Sequence, residues 1–275
     1  MARRLAADGY ALIGTDTSAE AMRQFESIGG AVPADSPIDV FRHCRRVILS
    51  LPTHVEVAEV LKSTDSVLSA DQIVIDTTTG DPAYAESAAS RLIRTGIHYL
   101  DATVSGSSHQ LEDGQVTWMV GGNESAYEAC RDLFDALGNQ RFHVGRAGNG
   151  SRMKLVTNLV LGLNRAALAE GLTFAESLQL DLDLTLSVLQ GSPAYSRMMD
   201  TKGQKMIQGE FSPQARLSQH LKDVQLMKQL ATDHGLLLRL TETHMQILQQ
   251  AVANGLGDSD NSALIEVMRK DDSDR

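Results

Sequence analysis

Short apolar runs alternate with amphipathic stretches through the first half of the chain, and the alternation stops near residue 149. The runs lie at 10–14, 47–51, 72–76, 98–102, 117–121 and 141–144. Each is bounded by Gly, Pro, Asp or Thr, which predicts short strands. Helix-period patterns over 18–28 and 55–61 fall between them. Ser18 offers a cap to the first of these, although Glu20 comes too early for a capping box. Strands alternating with helices predict a parallel, doubly wound sheet. Past residue 149 the strand-like runs vanish. Residues 149–180 contain no proline and only three glycines, Gly150, Gly162 and Gly171, which predicts one long helix. It reads as apolar nearly all round over 155–163, and therefore as buried there. Pro193 and Pro213 mark breaks between later helices. The joint falls in Gly145-Arg146-Ala147-Gly148-Asn149-Gly150, and 271–275 reads as a frayed polar tail.

The length of 275 residues suits two ordinary domains. Apolar residues at 42% and charged residues at 22% exclude a disordered or collagen-like chain. No window holds the 18 or so apolar residues of a membrane span, so no membrane partner is expected. A net charge of −10 argues against general binding of nucleic acid. Cys44 and Cys130 have no Cys or His at ligand spacing, and His43, His54, His143, His234 and His244 show none among themselves. No metal and no disulfide framework are expected, and a reducing, cytoplasmic compartment fits. The start lacks the apolar segment of a secretory signal. Trp118 and Met153 read as core.

Several residues could carry chemistry. Asp16 follows the first run; an acid there either hydrogen-bonds a dinucleotide's ribose or caps the next helix. Lys154 and Asn158 stand four apart and share a helix face. Such a pair at a domain joint can serve a carbonyl, the ammonium exchanging a proton and the amide fixing the oxygen. Flanking Met153, Leu155, Val156 and Leu159 would desolvate the lysine and lower its pKa. The alternative is a solvated Lys and Asn at a helix edge. Residues 101–108 form a strand end and a small-residue loop that either approaches an anion or is an ordinary turn. His109 beside it and the Lys222-Asp223 pair read by themselves as surface groups.

Taken together, these stretches resemble the β-hydroxyacid dehydrogenases, the family of 3-hydroxyisobutyrate dehydrogenase and tartronate semialdehyde reductase, over nearly the whole chain. Leu51-Pro52 is similar to the family's Leu-Pro that touches the cofactor. Asp76-Thr77-Thr78-Thr79-Gly80-Asp81-Pro82 resembles its Asp-x-Ser-Thr-x-x-Pro, with Thr79 against NAD. Asp101 to Gly106 resembles the substrate signature Asp-Ala-Pro-Val-Ser-Gly, and Met119-Val120-Gly121-Gly122 follows at family spacing. Gly145-x-x-Gly148-x-Gly150-x-x-x-Lys154-x-x-x-Asn158 resembles the catalytic signature. Lys222-Asp223 and residues 255–263 resemble the two late motifs.

The resemblance implies a Rossmann-like dinucleotide-binding domain over 1–147 and an all-helical substrate and dimerisation domain over 148–275, with the cofactor between them. It implies an NAD-dependent oxidoreductase that interconverts a short 3-hydroxy acid and its semialdehyde. Lys154 would be the general acid/base and Asn158 would hold the reacting oxygen. Ser105, with the amides of Gly106 and Ser107, would grip the substrate carboxylate. Lys222 would close the site, Asp223 would sit near the cofactor, and Asp16-Thr17 would favour NAD over NADP. A homodimer or homotetramer is expected. Thr103 replaces the signature proline, Ser107 a glycine, and Thr157 an asparagine. Ser107, Ser108 and His109 would favour acids with extra polar groups.

The family opens with a strand and a Gly-x-Gly-x-x-Gly turn that has no counterpart here, since residues 1–10 match the helix after that turn. The chain is accordingly expected to be a shortened copy whose neighbouring strands face a gap. Two alternatives follow: a catalytically silent, acid-binding or partner subunit, and an NADPH-dependent semialdehyde reductase.

Overall fold

The structure is a computed structural model that describes residues 1–273, with side chains described as far as Arg269. The chain folds into two compact units that divide between Lys154 and Leu155.

The first unit is an α/β sandwich. Its elements are α1 (Ala2–Ala7), β1 (Leu12–Gly14), α2 (Ala19–Glu26), β2 (Ala31–Pro33), α3 (Pro37–His43), β3 (Arg46–Leu49), α4 (His54–Ser63), β4 (Ile73–Asp76), α5 (Pro82–Leu92), β5 (His98–Ser105), α6 (Ser108–Glu112), β6 (Thr117–Gly121), α7 (Glu124–Glu128), α8 (Arg131–Leu137) and β7 (Gln140–His143). Strands β3 to β7 form one sheet in chain order, while β1 and β2 pair in parallel as a sheet of their own. Among the described residues no ladder joins β1 to β3. The expected parallel sheet holds over β3 to β5, but β6 runs antiparallel to β5, and β7, parallel to β6, runs with it. The link between β5 and β6 is only the short α6 and its turns, and parallel neighbours need a longer crossover. β2 is a strand that the hydrophobic pattern did not mark.

Both faces of the larger sheet are covered, which explains its unbroken apolar runs. Ile73, Ile75, Leu100 and Ala102 point into one core with Trp118, Tyr127 and Phe134, and Leu5 of α1 joins them. Val74 and Tyr99 point the other way, onto Phe41, Val57, Leu61 and Leu92. That alternation is the period of two of a strand. Ser18 caps α2 by accepting from the Ala21 amide at 3.3 Å. A full capping box, absent there, occurs instead at Thr53 with Glu56.

The second unit is all helical. The long helix α9 (Asn149–Ser177) enters it and is followed by α10 (Leu182–Gln190), α11 (Arg197–Gln208), α12 (Leu217–Asp233), α13 (Arg239–Ala253) and α14 (Ile265–Ser273). The expected frayed tail lies partly in α14 and partly outside the described residues. Leu155, Leu168, Leu172, Met206, Leu217, Leu248 and Leu264 make its core. The expectation that α9 is buried all round over 155–163 fails. Val156 and Val160 are more than half and half exposed. Phe174 and Leu178 are exposed on the same stripe, since a rotation of about 100° per residue brings position 174 back under 156. Lys154, Asn158 and Arg165 lie on the opposite side of the helix. Met153, expected in the core, is exposed as well. No helix among the described residues is long and apolar enough to cross a membrane.

Candidate functional site

In the first unit, the candidate cofactor residues follow the carboxyl ends of parallel strands, where open α/β sheets bind ligands. Asp16 lies two residues past β1 and is exposed. Its Oδ1 accepts the Ser18 amide at 2.8 Å, so it shapes the entry to α2 while remaining open to solvent. The loops after β3 and β4 are tied together. The Leu51 amide donates to Thr78 Oγ1 at 3.3 Å, and Thr77 Oγ1 donates to the Leu49 carbonyl at 2.9 Å. Pro52 and Thr79 are left exposed on these anchored loops. Asp16, Leu51, Pro52 and Thr79 are the residues expected to meet a dinucleotide cofactor. A glycine turn for its pyrophosphate is not found among the described residues.

The start of α9 is held by a carboxylate that the sequence reading left without a role. Asp101, buried on β5, accepts the Gly148 amide on Oδ1 at 3.0 Å and the Ser151 amide on Oδ2 at 2.8 Å. An anion placed against the first-turn amides of a helix is favoured by the dipole as well as by the bonds. Burial nevertheless dominates and pushes this carboxyl up to about 6, the amide bonds opposing it. Thr103, which stands where the signature has proline, donates to the Gly150 carbonyl at 2.8 Å and so adds a tie that proline lacks. Gly150 itself admits no side chain, because a Cβ would overlap the Asp101 carbonyl oxygen. Arg152 reaches Glu86 of α5 at 2.7 Å. These bonds explain why the first turn and a half of α9, including Lys154, packs with the first unit.

Lys154 and Asn158 are both half-buried and stand one turn apart on α9. Asn158 Nδ2 donates to Asp223 Oδ2 on α12 at 3.0 Å. Asp223 therefore orients the Asn158 amide within the second unit, while its neighbour Lys222 points to solvent. The loop after β5 departs from expectation. Ser107 caps the unforeseen helix α6, its Oγ accepting from the Gln110 amide and its own amide donating to Gln110 Oε1 at 2.8 Å. The Ser107 amide, expected to hold a carboxylate, is thus committed to Gln110. Ser105 is half-buried and Gly106, at φ +148°, is exposed. His109 is exposed on α6, with Nδ1 3.1 Å from Asp113.

The sequence also hid a buried polar group in the second unit. Lys202 holds Asp260 at 2.8 and 2.9 Å, and Arg165, His220 and His244 are buried in the same unit. These residues are widely spaced along the chain, so no local motif could mark them. Asp260 alone falls in a recognised stretch, residues 255–263.

Comparison with known proteins places the chain in a class. Residues 1–145 match the family model described as the NAD binding domain of 6-phosphogluconate dehydrogenase. Residues 148–268 match that described as NAD-binding of NADP-dependent 3-hydroxyisobutyrate dehydrogenase. The chain belongs to the β-hydroxyacid dehydrogenase family. It is 30% identical over 242 residues to the 2-hydroxy-3-oxopropionate reductase of Escherichia coli K12, covering 87% of this chain and 83% of that protein. It is 30% identical over 268 residues to the cytokine-like nuclear factor N-PAC of Aedes aegypti, covering 96% of this chain but only 48% of that protein. The chain thus spans about half the length of that relative. In fold it is similar to the 3-hydroxyisobutyrate dehydrogenase of Mycobacterium tuberculosis, with a TM-score of 0.88 at 24% identity over 98% of this chain and 94% of the other.

Proposed function

We propose that the protein is a nicotinamide-dinucleotide-dependent oxidoreductase that interconverts a short 3-hydroxy acid and its semialdehyde. The observation that carries the reading is the α9 pair: Lys154 and Asn158 on one face, the helix start fixed by Asp101, and Asn158 oriented by Asp223. A bound nicotinamide supplies or accepts the hydride. In oxidation, Lys154 Nζ takes the proton from the substrate hydroxyl; in reduction it returns one to the aldehyde oxygen. Asn158, with one N–H engaged by Asp223, keeps its second N–H for the substrate oxygen. Ser105 Oγ and the Gly106 amide bind the carboxylate. Asp16, Leu51, Pro52 and Thr79 hold the cofactor, joined by Lys222 from α12. The exposed Asp16 carboxylate repels a 2′-phosphate, which favours NAD over NADP. Ser108 and His109, with the Ser107 side chain, favour acids bearing extra hydroxyls over the methyl-bearing isobutyrate skeleton. The exposed stripe of Val156, Val160, Phe174 and Leu178 is covered by a second copy of the chain.

The test is NADH fluorescence titration together with turnover on glycerate-like acids and hydroxyisobutyrate. Micromolar NADH binding and activity lost in Lys154→Ala with cofactor binding retained are expected. Absence of NADH binding would instead support the silent, acid-binding reading, and near-normal turnover in Lys154→Ala would remove the lysine from the chemistry.

A further inference from the structure

A buried cluster in the second unit is left unbalanced by everything described above. Arg165 of α9 is only 4% exposed, and its Nε and Nη2 are buried without a hydrogen-bond partner. Those two nitrogens form one edge of the guanidinium, the edge that grips an acceptor with two parallel bonds. His220 of α12 and His244 of α13 lie beside each other, ring centroids 5.2 Å apart, and the Nε2 of each is also buried without a partner. Both rings press on the same stretch of α9. A Cβ on Gly162, one turn before Arg165, would stand 2.6 Å from His220 Nε2 and 2.7 Å from His244 Cε1.

Charge sharpens the problem. Among the described residues, Asp260 is the carboxylate that acts on Arg165, and it is already engaged. Lys202 Nζ holds both its oxygens, and the Gln214, Ala215 and Ser262 amides and the Ser262 hydroxyl donate to it as well. Lys202 therefore takes both Asp260 oxygens and leaves the guanidinium no carboxylate to bond, so the two cations and one carboxylate carry a net positive charge. Burial lowers Arg165 only to about 10, so it stays ionised at neutral pH. A guanidinium offers donors alone, and a buried ion without compensation is strongly disfavoured. Water would meet the hydrogen bonds but leave the charge, whereas an anion meets both.

We infer that Arg165, His220 and His244 enclose a small inorganic anion of halide size, a site separate from the turnover groups. The substrate's own carboxylate is excluded by reach. Lys154 and Arg165 lie eleven residues apart on one helix, about 16 Å of rise, which a short hydroxy acid does not span. Arg165 supplies two N–H bonds through Nε and Nη2, and each imidazole adds one through Nε2.

The experiment is thermal unfolding of the full chain at pH 7.5 in sodium chloride, sodium bromide and sodium gluconate at matched ionic strength. Chloride and bromide should raise the midpoint along a saturating curve, and gluconate, too large to enter, should not. Arg165→Met and His244→Leu should each lose the halide-specific rise. Chlorine-35 line broadening by the native protein, reversed by bromide, reads the same site without any variant and serves if Arg165→Met fails to fold. Coincident chloride and gluconate curves would overturn the inference in favour of water. A halide response unchanged in both variants would place the anion elsewhere and overturn it equally.

Discussion

Acid should weaken the helical unit through its buried imidazoles. His244 is buried, and burial together with the Arg165 charge lowers its pKa from 6.5 to about 4. His220 shifts in the same direction, from burial, Arg165 and His244. Between pH 6.5 and about 4, the unfolded chain takes up a proton that the folded chain refuses, so stability falls as pH falls through that window. Below about 4 both states carry the proton and the loss stops. Each tenfold in proton affinity is worth about 1.4 kcal/mol, so His244 alone accounts for roughly 3 kcal/mol, a large share of a typical domain's 5–15 kcal/mol. The whole-protein curve hides this effect. Asp101 in the first unit is raised from 3.8 to about 6 by burial, so its folded form takes the proton first and stability rises over nearly the same window. The decisive comparison is therefore urea unfolding of the native chain and His244→Leu at pH 7.0, 6.0, 5.0 and 4.5. It is followed at 222 nm in chloride-free buffer, because a halide in the site would favour the imidazolium. The variant should gain about 2 kcal/mol relative to the native chain between pH 7.0 and 4.5. A difference constant within about 0.5 kcal/mol across that range would refute the argument.

Asp101→Ala should strip the start of α9 of two acceptors and cost about 2–4 kcal/mol. The loss should appear in the fluorescence transition of Trp118, the only tryptophan. Gly162→Ala should be destabilising by about 1–3 kcal/mol despite alanine's better helix propensity, because its Cβ meets both imidazoles; a neutral or stabilising result by urea titration would show that the rings can move. Lys202→Met should cost about 3–5 kcal/mol by leaving Asp260 buried and unpaired, measurable as a lower urea midpoint. Val160→Asp with Phe174→Asp should convert an oligomer to a monomer by light scattering, and an unchanged mass would end the proposal that a second copy covers that stripe.

The strands and long helices were legible because their apolar periods are local and strong. The runs at 72–76 and 117–121 became β4 and β6, and 149–180 became α9 nearly to its end. β2 and α6 were not legible, since three residues give no period and Ser107 declares itself a cap only when Gln110 folds back onto it. The candidate site divides in the same way. Spacing along one helix was enough to put Lys154 and Asn158 on a common face. No spacing could have shown that Asp223 orients Asn158, which lies 65 positions away along the chain.

By itself, then, the sequence determined the α/β first half, the helical second half, the family and the lysine–asparagine pair, all of which rest on periodicity or short motifs. Tertiary structure alone decided that β6 turns antiparallel, that α9 shows an apolar stripe to solvent, and that Asp101 fastens the helix start. It alone brought His220 and His244 together against Gly162, one turn before Arg165 on α9. Those outcomes depend on which side chains meet across distant segments once the chain is packed, and burial, not residue type, then sets their charge and their need for a partner.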